Sequence, residues 1–243
     1  MAEIDLRSPL PKYYQLKEII RDLIEKEELG AGRAIPPERE LCDRYGVSRM
    51  TARQAVMELV NEGLLYRVQG LGTFVAEEKV RQEAGRLTSF TQDMRERGMD
   101  VSSEVLEVGT DQAGPVVARM LGIKPGEKIV RVKRVRHADG KPMALETSHL
   151  LYERARGILG LDLSGLSLYE ELGKSGMRIA EADQSYEAVL VNEAENNHLG
   201  VPVGSPALLI ERITYDADGR PFEYVKSVYR GDRYRVAARL RAP

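Results

Sequence analysis

The chain has one cysteine, no tryptophan and three histidines among its 243 residues. A single cysteine, Cys42, excludes an internal disulfide framework, and its setting among apolar positions makes it a small buried residue rather than a reactive thiol. His137, His149 and His198 are scattered, with no cysteine or carboxylate spacing that would gather a metal, so neither a metal nor a cofactor is expected. No serine or cysteine has a motif-level base partner, which leaves nucleophilic catalysis without support. No apolar run approaches the roughly 18 residues of a membrane span, and MAEIDLRSPL lacks the charged-then-apolar pattern of a secretion signal. The expectation is a cytoplasmic protein with no membrane partner. Strong net charge is missing as well: 36 basic against 38 acidic residues leave −2. Any nucleic-acid contact must then rest on local clusters such as Arg44, Arg49, Arg53 and Arg67.

The length suits two modest domains. Residues 36–75, PPERELCDRYGVSRMTARQAVMELVNEGLLYRVQGLGTFV, are the most informative stretch. Leu41, Tyr45 and Val47 are apolar at helix and turn spacing, and Gly46 supplies a sharp turn. A second helix starts at the N-cap Ser48 and stops at Gly63. Ala52, Ala55, Val56 and Leu59 cluster on one side of it, which leaves Arg49, Met50, Arg53 and Gln54 outward and suited to a major groove. From Leu64 to Val75 apolar and polar residues alternate around Gln69-Gly70-Leu71-Gly72, the pattern of a hairpin with a flexible tip. Helix, turn, helix and hairpin make a winged helix-turn-helix.

These motifs resemble the GntR-type transcription regulators. PPEREL is similar to their PSEREL, SRMTARQAVMELVNEGLLYR with GLGTFV to their recognition helix and wing, and the segment Leu10 to Leu29, containing PKYYQLKEIIRDLIEKEEL, to their first helix. The resemblance implies DNA contacts by Arg39, Ser48, Arg49, Thr51, Arg53, Gln54 and Gly70: the arginines Arg39 and Arg49 on bases or phosphates, Thr51 and Arg53 on the backbone, and Gly70 close to the minor groove. Two departures stand out. Pro37 replaces the serine that caps the second helix in the family, and proline is acceptable at a helix start but brings no hydroxyl. Gln69 and Leu71 stand where the wing is usually basic. Fewer phosphates are then neutralised, and the salt dependence of binding should be shallower than in relatives with a basic wing.

Domain 1–75 is followed by AEEKVRQEAGR, polar and without an apolar period, which reads as a linker over 76–86. Residues 87–243 mix strands and short helices and contain a repeat. LGIKPGEKIVRVKRVRHADGKPMALETSHLLY (121–152) parallels LGVPVGSPALLIERITYDADGRPFEYVKSVYR (199–230). Each copy reads as a helix end, a strand, an Asp-Gly turn and a return strand. Two copies imply a pseudo-symmetric antiparallel sheet with helices packed on it, an α+β domain. Asn192 to Glu195 reads as a capped helix start.

Val130, Val132, Arg134 and Arg136 share one strand face. If the valines point inward, so do two guanidinium groups, which is costly without an anion. They pair either with internal carboxylates or with a bound anion, for which arginine forks are suited. Glu146 and Glu223 lie on equivalent faces of the return strands, and Tyr229 shares that face with Glu223. An odd-numbered Asp-Gly loop would put Glu146 on the arginine face. Arginines at one end and carboxylates at the other suit an anionic head on a hydroxylated body, that is, a sugar phosphate. LTSFTQDMRERG (87–98) offers hydroxyls at a helix start, where they cap the helix or help hold an anion, and Ser167 and Tyr169 stand at another.

LTSFTQDMRERGM, VKRVRHADGKPMALETSHL, LYEEL and EYVKSVYRGDRY resemble the effector domain of the HutC branch of the GntR family, and especially the N-acetylglucosamine-utilisation repressors (NagR/DasR type). The resemblance implies a chorismate-lyase-like (UTRA) domain and an amino-sugar 6-phosphate effector. It assigns Ser89, Phe90, Thr91, Arg134, Arg136, Ser167 and Tyr169 to the phosphate and Glu146, Glu223 and Tyr229 to the sugar ring. The expected protein is a homodimeric repressor on a palindromic operator, with effector binding shifting the DNA domains through the linker. A different phosphate or carboxylate effector, or a lyase-like enzyme tethered to DNA, are the alternatives.

Overall fold

The computed structural model describes residues 4, 5, 7–68, 70–76 and 79–240. Contacts divide the chain into two units between residues 78 and 79.

The first unit packs α1 (Lys12–Glu25), α2 (Glu38–Tyr45) and α3 (Arg49–Asn61) with the hairpin β1 (Leu65–Val68) and β2 (Gly72–Val75). Leu16, Ile20, Leu41, Val47, Ala52, Ala55, Val56, Leu59, Leu65 and Val75 form its core. Gly46 closes α2 at φ 62°, a conformation that L side chains rarely adopt, and so allows the abrupt turn into α3. The Ser48 hydroxyl accepts the Thr51 N–H at 3.2 Å and fixes where α3 begins. Pro37 caps α2 without a side-chain hydrogen bond, and Glu38 and Glu40 in the first turn complement the helix dipole instead. Lys17 and Arg21 of α1 grip Glu62 at the end of α3, at 3.0 and 2.6 Å. The wing pairs Leu65 with Val75 and Val68 with Gly72, and Ala34 adds a bridge to Phe74. Gln69 lies outside the described residues.

In the second unit, β4 (Val101–Gln112), β5 (Lys128–Ala138), β6 (Lys141–Leu151), β7 (Ile179–Leu190), β8 (Pro206–Asp216) and β9 (Pro221–Arg230) form an antiparallel sheet in the order β4-β5-β6-β9-β8-β7. The repeat explains that order. α5 (Pro115–Leu121) precedes β5 and β6, and α8 (Glu193–Leu199) precedes β8 and β9, each helix ending on a left-handed glycine, Gly122 or Gly200. Each copy also begins one strand earlier than the sequence repeat, with β4 or β7. The copies meet at β6 and β9.

One sheet face packs against α5 and α8 through Ile129, Val135, Leu145, Leu199 and Tyr224. The other carries Val130 and Val132 against α6 (Tyr152–Ala155) and α7 (Leu168–Lys174), and Ala144 and Tyr229 against α4 (Phe90–Glu96).

Residues 76–86 differ from the linker expected of them. Val80–Glu83 form β3, paired parallel with β10 (Tyr234–Ala237). Val80 and Gln82 face inward, and Arg81 and Glu83 outward. The strand is masked in the sequence because one of its two buried positions is polar; Gln82 is satisfied there by the Tyr234 hydroxyl at 2.7 Å. Glu77 and Glu78 lie outside the described residues.

Candidate functional sites

On the first unit, the buried side of α3 turns Arg49, Met50, Arg53 and Gln54 to solvent, with Arg39 of α2 exposed as well. Thr51 is half-buried and its hydroxyl meets that of Ser48 at 2.8 Å. Gly70, at φ 77°, forms the wing tip with Leu71, whose N–H donates to the Val68 carbonyl at 3.1 Å. Arg67 is engaged by Glu38 at 2.7 Å, which removes part of its charge from the basic cluster expected of this unit.

The second unit holds a cavity between the sheet and α4, α7 and β3. Ser89, Phe90, Thr91, Arg134, Arg136, Glu146, Tyr169, Glu223 and Tyr229 all line it. Ser167 does not. It is buried at the start of α7, where its hydroxyl caps the helix and stands 3.5 Å from that of Ser89.

Glu146 reaches the arginine face by a different route from the one expected. The Asp139-Gly140 loop has an even number of residues, and pairing passes from His137↔Pro142 to Arg136↔Ala144, leaving Met143 as a one-residue bulge. That bulge brings Glu146 directly opposite Arg134.

Both arginines are buried. Arg134 Nη2 donates to Glu146 Oε1 at 2.6 Å, and Arg136 Nη1 lies 3.5 Å from the same oxygen. Arg136 Nη2 donates to the Thr91 hydroxyl at 2.7 Å, and its guanidinium lies 4.6 Å from the Phe90 ring centre. Three guanidinium N–H positions, Arg134 Nε and Nη1 and Arg136 Nε, are buried with no partner. Burial brings the Arg136 pKa down to about 10, against the pull of Glu146. Burial pushes Glu146 up, but Arg134 and Arg136 together outweigh it and hold the carboxyl below its ordinary range.

Further along the same sheet, on β9 four residues from Ser227, the partner of Glu146, burial pushes Glu223 above the ordinary carboxylate range, with Glu146 adding repulsion. Glu223 accepts from the hydroxyls of Tyr169, at 2.9 Å, and Thr214, at 3.1 Å. The cavity has about 50 Å³ of water-accessible space. One water needs roughly 10–15 Å³, so it is a narrow, polar slot.

Sequence comparison is unambiguous about the family. The UTRA domain matches residues 96–235, and the bacterial regulatory proteins of the gntR family match residues 12–75. The HTH-type transcriptional repressor NagR of Bacillus subtilis is 42% identical over 95% of both chains.

The chain belongs to the GntR family.

The mannosyl-D-glycerate transport/metabolism system repressor MngR of Escherichia coli is 34% identical, over 93% of this chain and 94% of its own. The crystal structure of PhnF from Mycobacterium smegmatis superposes with a TM-score of 0.67 at 30% identity, covering 94% of this chain and 99% of that one. These relatives are transcription regulators rather than enzymes, and this GntR chain is a DNA-binding regulator with a UTRA domain. No described helix is long and apolar enough to cross a membrane.

A third cation, Arg212, lines the cavity without having been among the residues expected there. Its Nε donates to Gln184 at 2.5 Å, and its Nη1 donates to the Thr88 carbonyl at 3.0 Å, just before the α4 cap. The signal was available, since Arg212 occupies the place of Arg134 in the aligned repeat. Gln82 and Tyr234 also line the cavity; Gln82 carried no motif, and Tyr234, the last residue of EYVKSVYRGDRY, was given no role.

Proposed function

We propose that this regulator represses genes of amino-sugar uptake and catabolism, and that N-acetylglucosamine 6-phosphate or glucosamine 6-phosphate releases it from its operator. The observation that carries this reading is the cavity's charge layout. Arg134, Arg136 and Arg212 face two carboxyl groups, Glu146 and Glu223, and three arginine N–H positions point at no acceptor. Such a surplus of fixed donors suits a dianionic phosphate. In this reading Ser89, Phe90, Thr91, Arg134, Arg136 and Tyr169 hold the phosphate, and Ser167, outside the cavity, acts through the Ser89 hydroxyl it meets at 3.5 Å. Glu146, Glu223 and Tyr229 take hydroxyls of the sugar ring, for which carboxylates are apt acceptors. The NagR likeness supports the same ligand class.

The protein acts as a homodimer on a palindromic operator, contacting it with Arg39, Ser48, Arg49, Thr51, Arg53, Gln54 and Gly70. Release follows from chain connectivity. β3 starts at Val80, soon after the wing strand ends at Val75, and its Gln82 is part of the cavity wall. The Tyr229 ring stacks on Tyr234 with centres 4.1 Å apart, and Tyr234 bonds Gln82. A ligand that moves Tyr229 therefore acts on the strand leading to the DNA-binding unit, provided it binds the two arrangements with different affinity.

The test is anisotropy of a fluorescent duplex, enriched from a random pool by the full chain, titrated with each amino-sugar phosphate. Release at micromolar sugar phosphate, and none by unphosphorylated N-acetylglucosamine, is expected. Retention of the duplex by the saturated protein would defeat the assignment.

A further inference from the structure

The outward side of α3 carries a residue that DNA charge does not explain. Met50 is 74% exposed, and it contributes nothing to the core packed by Ala52, Ala55, Val56 and Leu59. It stands at the second residue of α3, one turn before Arg53 and Gln54, beside Arg49 and next to the Ser48 cap. In a helix-turn-helix the N-terminal residues of the second helix are those that reach base edges. Arginine forks suit guanine, and an amide suits adenine, because both read patterns of donors and acceptors. A thioether has no donor and only a weak acceptor. The one apolar feature of a major-groove base edge is the C5-methyl of thymine.

We propose that Met50 is a specificity-determining residue of this regulator, reading a thymine through its methyl group. The flanking Arg49 and Arg53, both exposed, bring the helix to the phosphates and so press the Met50 side chain against the base edge. Contact removes both the thymine methyl and the exposed thioether from water. Loss of one methyl(ene) of burial corresponds to about 0.8 kcal/mol, roughly a fourfold change in affinity.

The test uses the full chain and duplexes enriched from a random pool, in which each thymine is replaced singly by uracil to delete only its methyl. The wild type should lose affinity about fourfold at one thymine. Met50→Ala should bind the parent duplex more weakly and be indifferent to uracil at that position, while Met50→Leu should keep the methyl preference. Since Met50 is exposed, both variants fold. Equal methyl sensitivity in Met50→Ala and wild type, or no methyl-sensitive thymine at all, overturns the proposal. Failure to enrich any duplex overturns the DNA-reading role of α3 and this proposal with it, so the two failures are distinguishable.

Discussion

Replacing Glu146 by glutamine separates the two explanations for the buried arginines. If Glu146 merely neutralises them, the cavity needs no ligand; if the arginines are an anion site, a foreign anion should substitute for the lost charge. Glu146 is the carboxylate that faces Arg134 at 2.6 Å and Arg136 at 3.5 Å, and it is nearly buried, with 12% of its side chain exposed. Removing one partner of a buried ion pair costs about 3–5 kcal/mol. The glutamine oxygen can still accept one hydrogen bond from Arg134, so the lower end, about 3 kcal/mol, applies. For a unit spanning residues 79–243, each kcal/mol moves the melting temperature by roughly 2–4 °C, which gives a drop of about 6–12 °C. Phosphate at a hundred times its dissociation constant would return about 2.7 kcal/mol, most of the loss. Thermal unfolding of Glu146→Gln in phosphate and in chloride at matched ionic strength reads both effects. We expect a low melting temperature in chloride and a larger gain from phosphate than in the wild type. A variant melting within about 2 °C of wild type, less than 1 kcal/mol on this scale, or gaining nothing extra from phosphate, would refute the reasoning.

Glu223 gives a pH signature. Its pKa in the fold lies above the ordinary value of 4.5, so its contribution to stability is complete below pH 4.5 and is lost as pH rises through the elevated value. Glu223→Gln should remove that decline, seen as a flatter profile of denaturant midpoint against pH above 4.5. Tyr234→Phe keeps the stack on Tyr229 but deletes the bond to Gln82. Sugar-phosphate affinity should hold within about twofold while the ratio of operator affinities without and with ligand falls roughly fivefold, the equivalent of one hydrogen bond; an unchanged ratio in paired binding assays would remove Tyr234 from the coupling. At the wing tip, Leu71 is 74% exposed and uncharged. Leu71→Lys should steepen the slope of log affinity against log salt by about 0.9, one added phosphate contact, and an unaltered slope would place the wing away from the backbone.

Much of this was legible in the sequence because it lay in local chemistry. Gly46 declares the end of α2 and Ser48 the start of α3, and the Asp-Gly turns declare the two hairpins whose repetition gives the sheet its order. Strand parity placed Val130, Val132, Arg134 and Arg136 on one face, as observed. What escaped depends on pairing between distant segments. β3 is a strand only because residues about 150 positions later run beside it, and parallel pairing leaves no turn signal. The Met143 bulge shifts the register by one, which alternation within a single strand cannot reveal. Arg212 was hidden for another reason: it lies beside Glu211 in an otherwise apolar strand, LLIERITY, where adjacent opposite charges look like a solvated pair.

The most direct measurement is a calorimetric titration of the full chain with N-acetylglucosamine 6-phosphate, glucosamine 6-phosphate and unphosphorylated N-acetylglucosamine, repeated on Arg134→Ala. One or both phosphates should bind and the unphosphorylated sugar should not. Arg134→Ala should weaken binding by about thirtyfold or more, since truncating a buried charge pair costs at least about 2 kcal/mol. Binding by neither phosphate, or equal affinity in Arg134→Ala, would contradict the amino-sugar phosphate reading of the cavity.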